Sequence, residues 1–204
     1  IRSAFSIHPL LVGGNPYTTT SIYSLIHYLE RKWGVFFCMG GTGKLVEELT
    51  NLLNRVGVRI RLNEDIKSVE HKNSIAYKAI TSNGKEYFFD NIIFNGDPPT
   101  FYSEILKPKK RNLINPILPD SLMTYSMGLF VLFFGTNNQY KDIAHHTIWL
   151  SKRFKGLLND IFKEKDLPED FSLYLHRPTA TDSTFAPEGC DSYYVLCPVP
   201  NLRS

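Results

Sequence analysis

The residues of this 204-residue sequence best able to do chemistry are histidines, glycine turns and one acidic pair. His145-His146 and His176 are candidates for acid–base work or metal ligation. Adjacent histidines in a strand point to opposite faces, and no carboxylate stands at ligand spacing, so no metal site is expected. Asp182-Ser183 with His176 supplies the residue types of a nucleophilic triad. The Gly-x-Ser-x-Gly elbow such a hydrolase needs is absent, and that reading is set aside. Gly40-Gly41-Thr42-Gly43-Lys44 lies between an apolar run and an amphipathic one, where backbone N–H groups can meet an anion or the polar edge of a cofactor. It is not a phosphate loop, because Leu45 stands where Ser or Thr belongs, and not a dinucleotide fingerprint, because Val46 replaces the third glycine. As a bare pattern it reads as a tight turn. Asn95-Gly96-Asp97-Pro98 follows an apolar run; strand ends of this kind seat cofactors, but the residues also suit a turn that opens a Pro-started helix, and the turn is preferred.

These residues need elements to position them. Residues 1–17 read as mixed apolar and turn-like. Residues 18–33 read as a helix with Ile22, Leu25, Ile26, Leu29 and Trp33 on one face and Gly34 as its stop. Residues 35–39 form a short apolar strand ahead of the Gly40-Gly41 turn, and a second amphipathic helix follows, with Leu45, Leu49, Leu52, Leu53 and Val56 inward and Gly57 closing it. The pattern then turns to β structure: 58–62, 65–71, 75–82, 86–89 and 92–94, with Asn83-Gly84 as a hairpin turn. In the second half, 122–134 reads as a long strand, 152–162 as a helix with Leu157, Leu158 and Ile161 apolar, and 171–175 and 192–197 as strands. The class is mixed α/β, or α+β. Three segments are expected: 1–34 helical, 35–99 holding an antiparallel meander, and 100–204 forming a further sheet.

Composition narrows the classes. Aromatics at 13% and apolar residues at 43% exclude a disordered or fibrous chain. A net charge of +3 without a concentrated basic face gives no reason to expect nucleic acid. Three widely spaced cysteines, Cys38, Cys190 and Cys197, fit reduced thiols in the cytoplasm rather than a disulfide frame. No apolar run reaches the ~18 residues of a membrane span, and there is no signal-peptide pattern. The sequence opens Ile1-Arg2-Ser3 and stops after a strand-like run, as expected of a fragment of a longer protein. Lys107, Lys109, Lys110 and Arg111 form a basic cluster that attracts anionic lipid or is simply solvated. Phe130, Phe133 and Phe134 line a lipid-like tunnel or pack a core.

Several runs taken together resemble the bacterial-type phytoene desaturases, FAD-dependent carotenoid enzymes of the amine-oxidase-like flavoproteins. They are Ala4-Phe5-Ser6-Ile7-His8-Pro9-Leu10-Leu11-Val12-Gly13-Gly14-Asn15-Pro16, Ser21-Ile22-Tyr23-Ser24-Leu25-Ile26-His27, and Trp33-Gly34-Val35-Phe36 followed by Gly40-Gly41-Thr42-Gly43. Further on come Ala144-His145-His146-Thr147, Asp170-Phe171-Ser172-Leu173-Tyr174-Leu175-His176 and Ala186-Pro187-Glu188-Gly189-Cys190. Each run alone is weak, whereas the set spans essentially the whole chain.

The resemblance implies an internal part of a Rossmann-type flavoprotein joined to a substrate domain, lacking the family's N-terminal Gly-x-Gly-x-x-Gly. Residues 35–99 then belong to the FAD domain, and 1–34 and 100–204 to the substrate side. The resemblance implies cofactor contacts at Gly40, Gly41, Ile66 (whose backbone would face adenine), Asn95 and Asp97. It implies a substrate tunnel near Phe130, Phe133, His176 and Asp182, with no side chain of this segment as proton-transfer catalyst. The implied substrate is phytoene or a related linear carotenoid, taken by a cytoplasmic enzyme held peripherally at a membrane surface. Oligomeric state is not implied. The alternatives are a carotenoid isomerase or amine-oxidase relative on the same fold, and a non-catalytic isoprenoid-binding module.

Overall fold

The structure is a computed structural model that describes residues 2–73, 75–106, 125–164 and 167–202. In chain order the helices are α1 (Arg2–Phe5), α2 (Ile7–Leu11), α3 (Ser24–Trp33), α4 (Gly41–Arg55) and α5 (Phe154–Asn159). The strands are β1 (Ile66–Lys72), β2 (Ile75–Thr81), β3 (Glu86–Phe88), β4 (Gly128–Thr136), β5 (His146–Trp149), β6 (Leu173–His176) and β7 (Asp191–Val199). The class is mixed α/β, as expected, with two antiparallel sheets. The chain divides into two compact units, one of residues 1–51 and 124–204 and one of residues 52–123. This division differs from the expected segments 1–34, 35–99 and 100–204. Residues 35–51 group with the second half because Phe37 packs on His145 and Phe185, and because Asp182 bonds to Gly40.

The larger unit is built on a four-stranded sheet in the order β4-β7-β6-β5. β4 pairs with β7 over nine residues in unbroken register, Gly128 opposite Val199 and Thr136 opposite Asp191. β4 is apolar on both faces, a pattern suited to a strand covered on both sides. Its faces are nonetheless open in this unit: Phe130 is 62% and Phe133 74% exposed. The core gathers Leu10 from α2, Leu157 and Leu158 from α5, Ile161 from the wide turn that continues it, and Leu175, Tyr193 and Cys197 from the sheet. The expected helix at 152–162 is therefore present and buries the residues it was expected to bury. The turn-like reading of residues 1–17 gives way to α1 and α2, which His8 ties to α3 through His27 and Glu30, at 3.0 and 2.9 Å.

The smaller unit holds the meander β1-β2-β3. Gly84, at φ +83°, closes the expected hairpin; its N–H donates to the Thr81 carbonyl at 3.0 Å, and the buried Thr81 hydroxyl reaches Asn83 and Lys85. The three expected strands at 35–39, 58–62 and 92–94 are not strands. Two are apolar runs and 58–62 alternates apolar residues with arginine, but none has a ladder partner among the described residues, and a strand exists only where a neighbour takes up its N–H and C=O groups. Phe36 at 87% and Ile93 at 94% exposure mark the same want of a neighbour. The apolar stripe of α4 also stays open, with Leu45 and Leu49 about half exposed. No helix among the described residues is long and apolar enough to cross a membrane.

Candidate functional site

The centre of interest lies where the ends of β4, β6 and β7 meet the Gly40-Gly41 turn. Gly40 and Gly41 both have positive φ, +82° and +79°, a conformation that side chains disfavour. A Cβ on Gly41 would stand 2.7 Å from the Phe185 ring. The turn delivers the chain into α4, whose first N–H groups carry partial positive charge. Asp182 answers that charge: its Oδ2 accepts from the Gly40 N–H at 2.7 Å, while its Oδ1 accepts from the Thr184 N–H and hydroxyl at 3.0 and 2.7 Å. Hydrogen bonds from Thr184, then Gly40, hold the Asp182 carboxyl below the usual range despite its burial. The Gly41 N–H donates to the Cys38 carbonyl at 2.7 Å.

The fit of a cofactor to this turn can be judged from those bonds. The two N–H groups and the space above Gly41 are taken up by Asp182, Cys38 and Phe185 of the chain itself. The pair therefore does not fit a cradle for cofactor phosphates; its glycines are explained by packing. Of the other three expected contacts, Asp97 caps a short helix, Pro98–Thr100, accepting from the Thr100 N–H at 3.0 Å and hydroxyl at 2.6 Å, as the preferred turn reading implies. Asn95 is exposed in irregular chain ahead of it. Ile66 opens β1, an edge strand of the meander, opposite Thr81.

Beside the turn lies a cleft of about 760 Å³ walled by Phe37, Phe133, Phe185, His176 and Tyr194. Three of the four expected tunnel residues meet here: Phe133 and His176 line the cleft, and Asp182 caps the short turn Ser183–Phe185 that carries Phe185. Phe130 does not join them. It is three residues from Phe133 on one strand, so it faces the other side of the sheet, where it lines a second apolar cleft of about 860 Å³ with Leu132, Val195 and Cys197.

His176 sits opposite His146 across the β5–β6 ladder, and its ring stacks on Tyr194 with centroids 4.6 Å apart. Burial first, then the neighbouring His145 and His146, push His176 down to about 4, so its imidazole is neutral at pH 7. His145 is lowered for the same reasons, burial first and then His146. The expectation that His145 and His146 diverge is corrected here. His145 stands just ahead of β5 rather than inside it, and the two rings lie 4.4 Å apart.

Behind the cleft is a network that residue patterns did not reveal. The fully buried Asp191 carboxylate accepts from Thr179 Oγ1 at 2.6 Å, Tyr140 N–H at 2.7 Å, Tyr193 hydroxyl at 2.9 Å and Arg177 Nε at 3.0 Å. Burial by itself would raise the Asp191 carboxyl, but these donors outweigh it and hold it well below the usual range. Arg177 also binds the Ile143 carbonyl through Nη1 and the His145 carbonyl through its own N–H, both at 2.8 Å. Asp191 thus fixes the segments that present His145 and His176. Its only signal in the sequence is a carboxylate at the head of a strand, following Arg177 at a distance no short motif spans.

With this geometry in view, comparison with known proteins sets the class. The family described as flavin containing amine oxidoreductase matches residues 1–183. The chain belongs to that family. Its curated relatives narrow the likeness. The lycopene-forming phytoene desaturase of Pantoea ananas is 43% identical over 204 residues, covering 99% of this chain and 41% of its own length. That of a Paracoccus species is 44% identical over 202 residues, 99% of this chain and 40% of the relative. The neurosporene-forming phytoene desaturase of Cereibacter sphaeroides is 35% identical over 206 residues, 100% of this chain and 40% of the relative. The chain spans about two-fifths of the length of these relatives.

Proposed function

We propose that this chain is the substrate-side portion of an FAD-dependent phytoene desaturase, acting in carotenoid biosynthesis on phytoene or a related linear carotenoid. The observation that carries the reading is the aromatic cleft of Phe37, Phe133, Phe185 and Tyr194, in a chain alike over its whole length to phytoene desaturases. A polyene has no charge or hydrogen-bonding group to hold, so its seat must be apolar and shaped by ring faces. Bound FAD supplies the two-electron acceptor that side chains lack. The chain's own residues supply alignment: the Asp182–Gly40 bond sets Phe185 against the turn, and the Asp191 network sets His176.

The proposal includes contact with a membrane from the cytoplasmic side, since the substrate dissolves in lipid. The basic cluster Lys107, Lys109, Lys110 and Arg111 supports that part from the sequence alone and lies outside the described residues.

The test is product analysis of the protein expressed from its complete reading frame in cells that accumulate phytoene. More conjugated carotenes are expected. Geometric isomers of unchanged hydrogen content would replace the reading by an isomerase. Bound but unaltered phytoene would replace it by a binding module.

A further inference from the structure

We propose that His145, His146 and His176 form a binding site for a single zinc-class divalent ion at the edge of the aromatic cleft. One nitrogen of each ring lies within 4.8 Å of the others, although the three residues come from the lead into β5, from β5 and from β6. The Nδ1 atoms of His146 and His176 are 3.4 Å apart. Two nitrogens bound to one tetrahedral zinc ion at about 2.0–2.1 Å are separated by about 3.4 Å, so this edge of a coordination tetrahedron is already in place.

The hydroxyl of Tyr174 lies 2.7 Å from His146 Nδ1 and 3.3 Å from His176 Nδ1, positioned as a fourth ligand or as the partner of a bound water. On His145, Nδ1 is held by Thr181 Oγ1 at 2.5 Å. That bond leaves Nε2 as the open nitrogen, and it is buried with no hydrogen-bond partner. A buried nitrogen in that state is costly unless something binds it, and an ion is the partner that three converging imidazoles can share. The bond to Thr181 also orients the ring, as second partners of metal-bound histidines do.

Three imidazoles with one phenolic or water oxygen suit zinc, and also copper and nickel, in preference to magnesium or calcium, which take oxygen donors. A second histidine group, His8 with His27 and Glu30, differs in kind. Both nitrogens of His8 are already hydrogen-bonded, to His27 at 3.0 Å and Glu30 at 2.9 Å, which closes the group on itself.

The experiment is calorimetric titration of Zn²⁺ into chelator-stripped, untagged protein expressed from its complete reading frame, with Co²⁺ absorption as a second readout of geometry. One ion per chain is expected, with Co²⁺ bands of tetrahedral intensity. His176→Ala and His146→Phe should each weaken binding at least about tenfold, while His27→Ala should leave it within about twofold. His146 is exposed, so His146→Phe tests the site even if His176→Ala does not fold. Absence of Zn²⁺ binding by the folded protein would overturn the proposal. So would binding that survives both cluster variants, or that disappears with His27→Ala.

Discussion

The carboxylate of Asp182 accepts a 2.7 Å hydrogen bond from the backbone N–H of Gly40, 142 residues earlier in the chain. The bond places a negative charge at the start of the 15-residue helix α4 and draws the turn before that helix against Phe185. Asp182→Ala should therefore free the turn, seen as faster hydrogen exchange at residues 39–41 than in the parent protein. Asp182→Asn keeps an accepting oxygen and should change exchange less. Carotene formation by Asp182→Asn, and by His176→Ala, should fall by less than about 100-fold, the low end of what a positioned acid or base contributes. A greater loss with fold and flavin content intact would make one of them a participant in the chemistry.

Gly41 offers a sharper test of the same packing. Gly41→Ala forces a side chain into positive φ and against the Phe185 ring. The expected cost is about 1–3 kcal/mol, measured by urea unfolding. The double variant with Phe185→Ala should relieve the clash but not the backbone strain, so the two substitutions should be non-additive. Simple additivity would mean that the ring and the turn are not in contact.

The Asp191–Arg177 pair is expected to contribute to acid stability. Asp191→Ala leaves the buried Arg177 guanidinium without its carboxylate, a change expected to cost about 3–5 kcal/mol. The folded-state Asp191 carboxyl is held below its unfolded value. Its stabilisation is therefore fully present above the unfolded value, near pH 4, and is lost as pH falls below that toward the folded value. Urea midpoints measured between pH 6 and pH 2 should fall less steeply in Asp191→Asn than in the parent protein. Parallel curves would show that Asp191 does not set the acid limit.

Much of this arrangement is legible in the sequence, and the remainder is not for physical reasons. The meander β1-β2-β3 is read correctly because Asn83-Gly84 and period-two alternation are local signals. The helices α3, α4 and α5 are read from their apolar spacing. Strands at 35–39, 58–62 and 92–94 are misread because neither an apolar run nor a short alternation such as Val58-Arg-Ile-Arg-Leu62 tells whether a neighbour exists to pair with it. At the site, Phe133 and His176 line one cleft and Asp182 caps the turn beside it, whereas Phe130 is separated from them by the pleat of β4. The link between Asp182 and Gly40 and the four donors on Asp191 join residues far apart in sequence, where no spacing rule operates. The convergence of His145 on His146 depends on where β5 begins, a boundary that residue pattern does not fix.

The proposed membrane contact can be measured directly. Reversing the charges of Lys107, Lys109, Lys110 and Arg111 should weaken binding of the protein to anionic vesicles, by about 1 kcal/mol for each charge that lies at the surface. The difference from the parent should shrink as salt rises, because screening already weakens the contact. Equal partitioning of the two proteins at low salt would assign the cluster to solvent.

The most direct test of the central claim is the rate of carotene formation by Phe133→Glu, assayed with phytoene-containing liposomes in flavin-loaded protein beside Phe130→Glu. An unpaired carboxylate in the cleft of Phe37, Phe185 and Tyr194 opposes a hydrocarbon chain, and the expected loss is about 100-fold or more. Phe130→Glu, on the other face of the sheet, should lose much less. A Phe133→Glu protein that folds, keeps its flavin and forms carotenes at the parent rate would contradict the assignment of this cleft as the polyene seat.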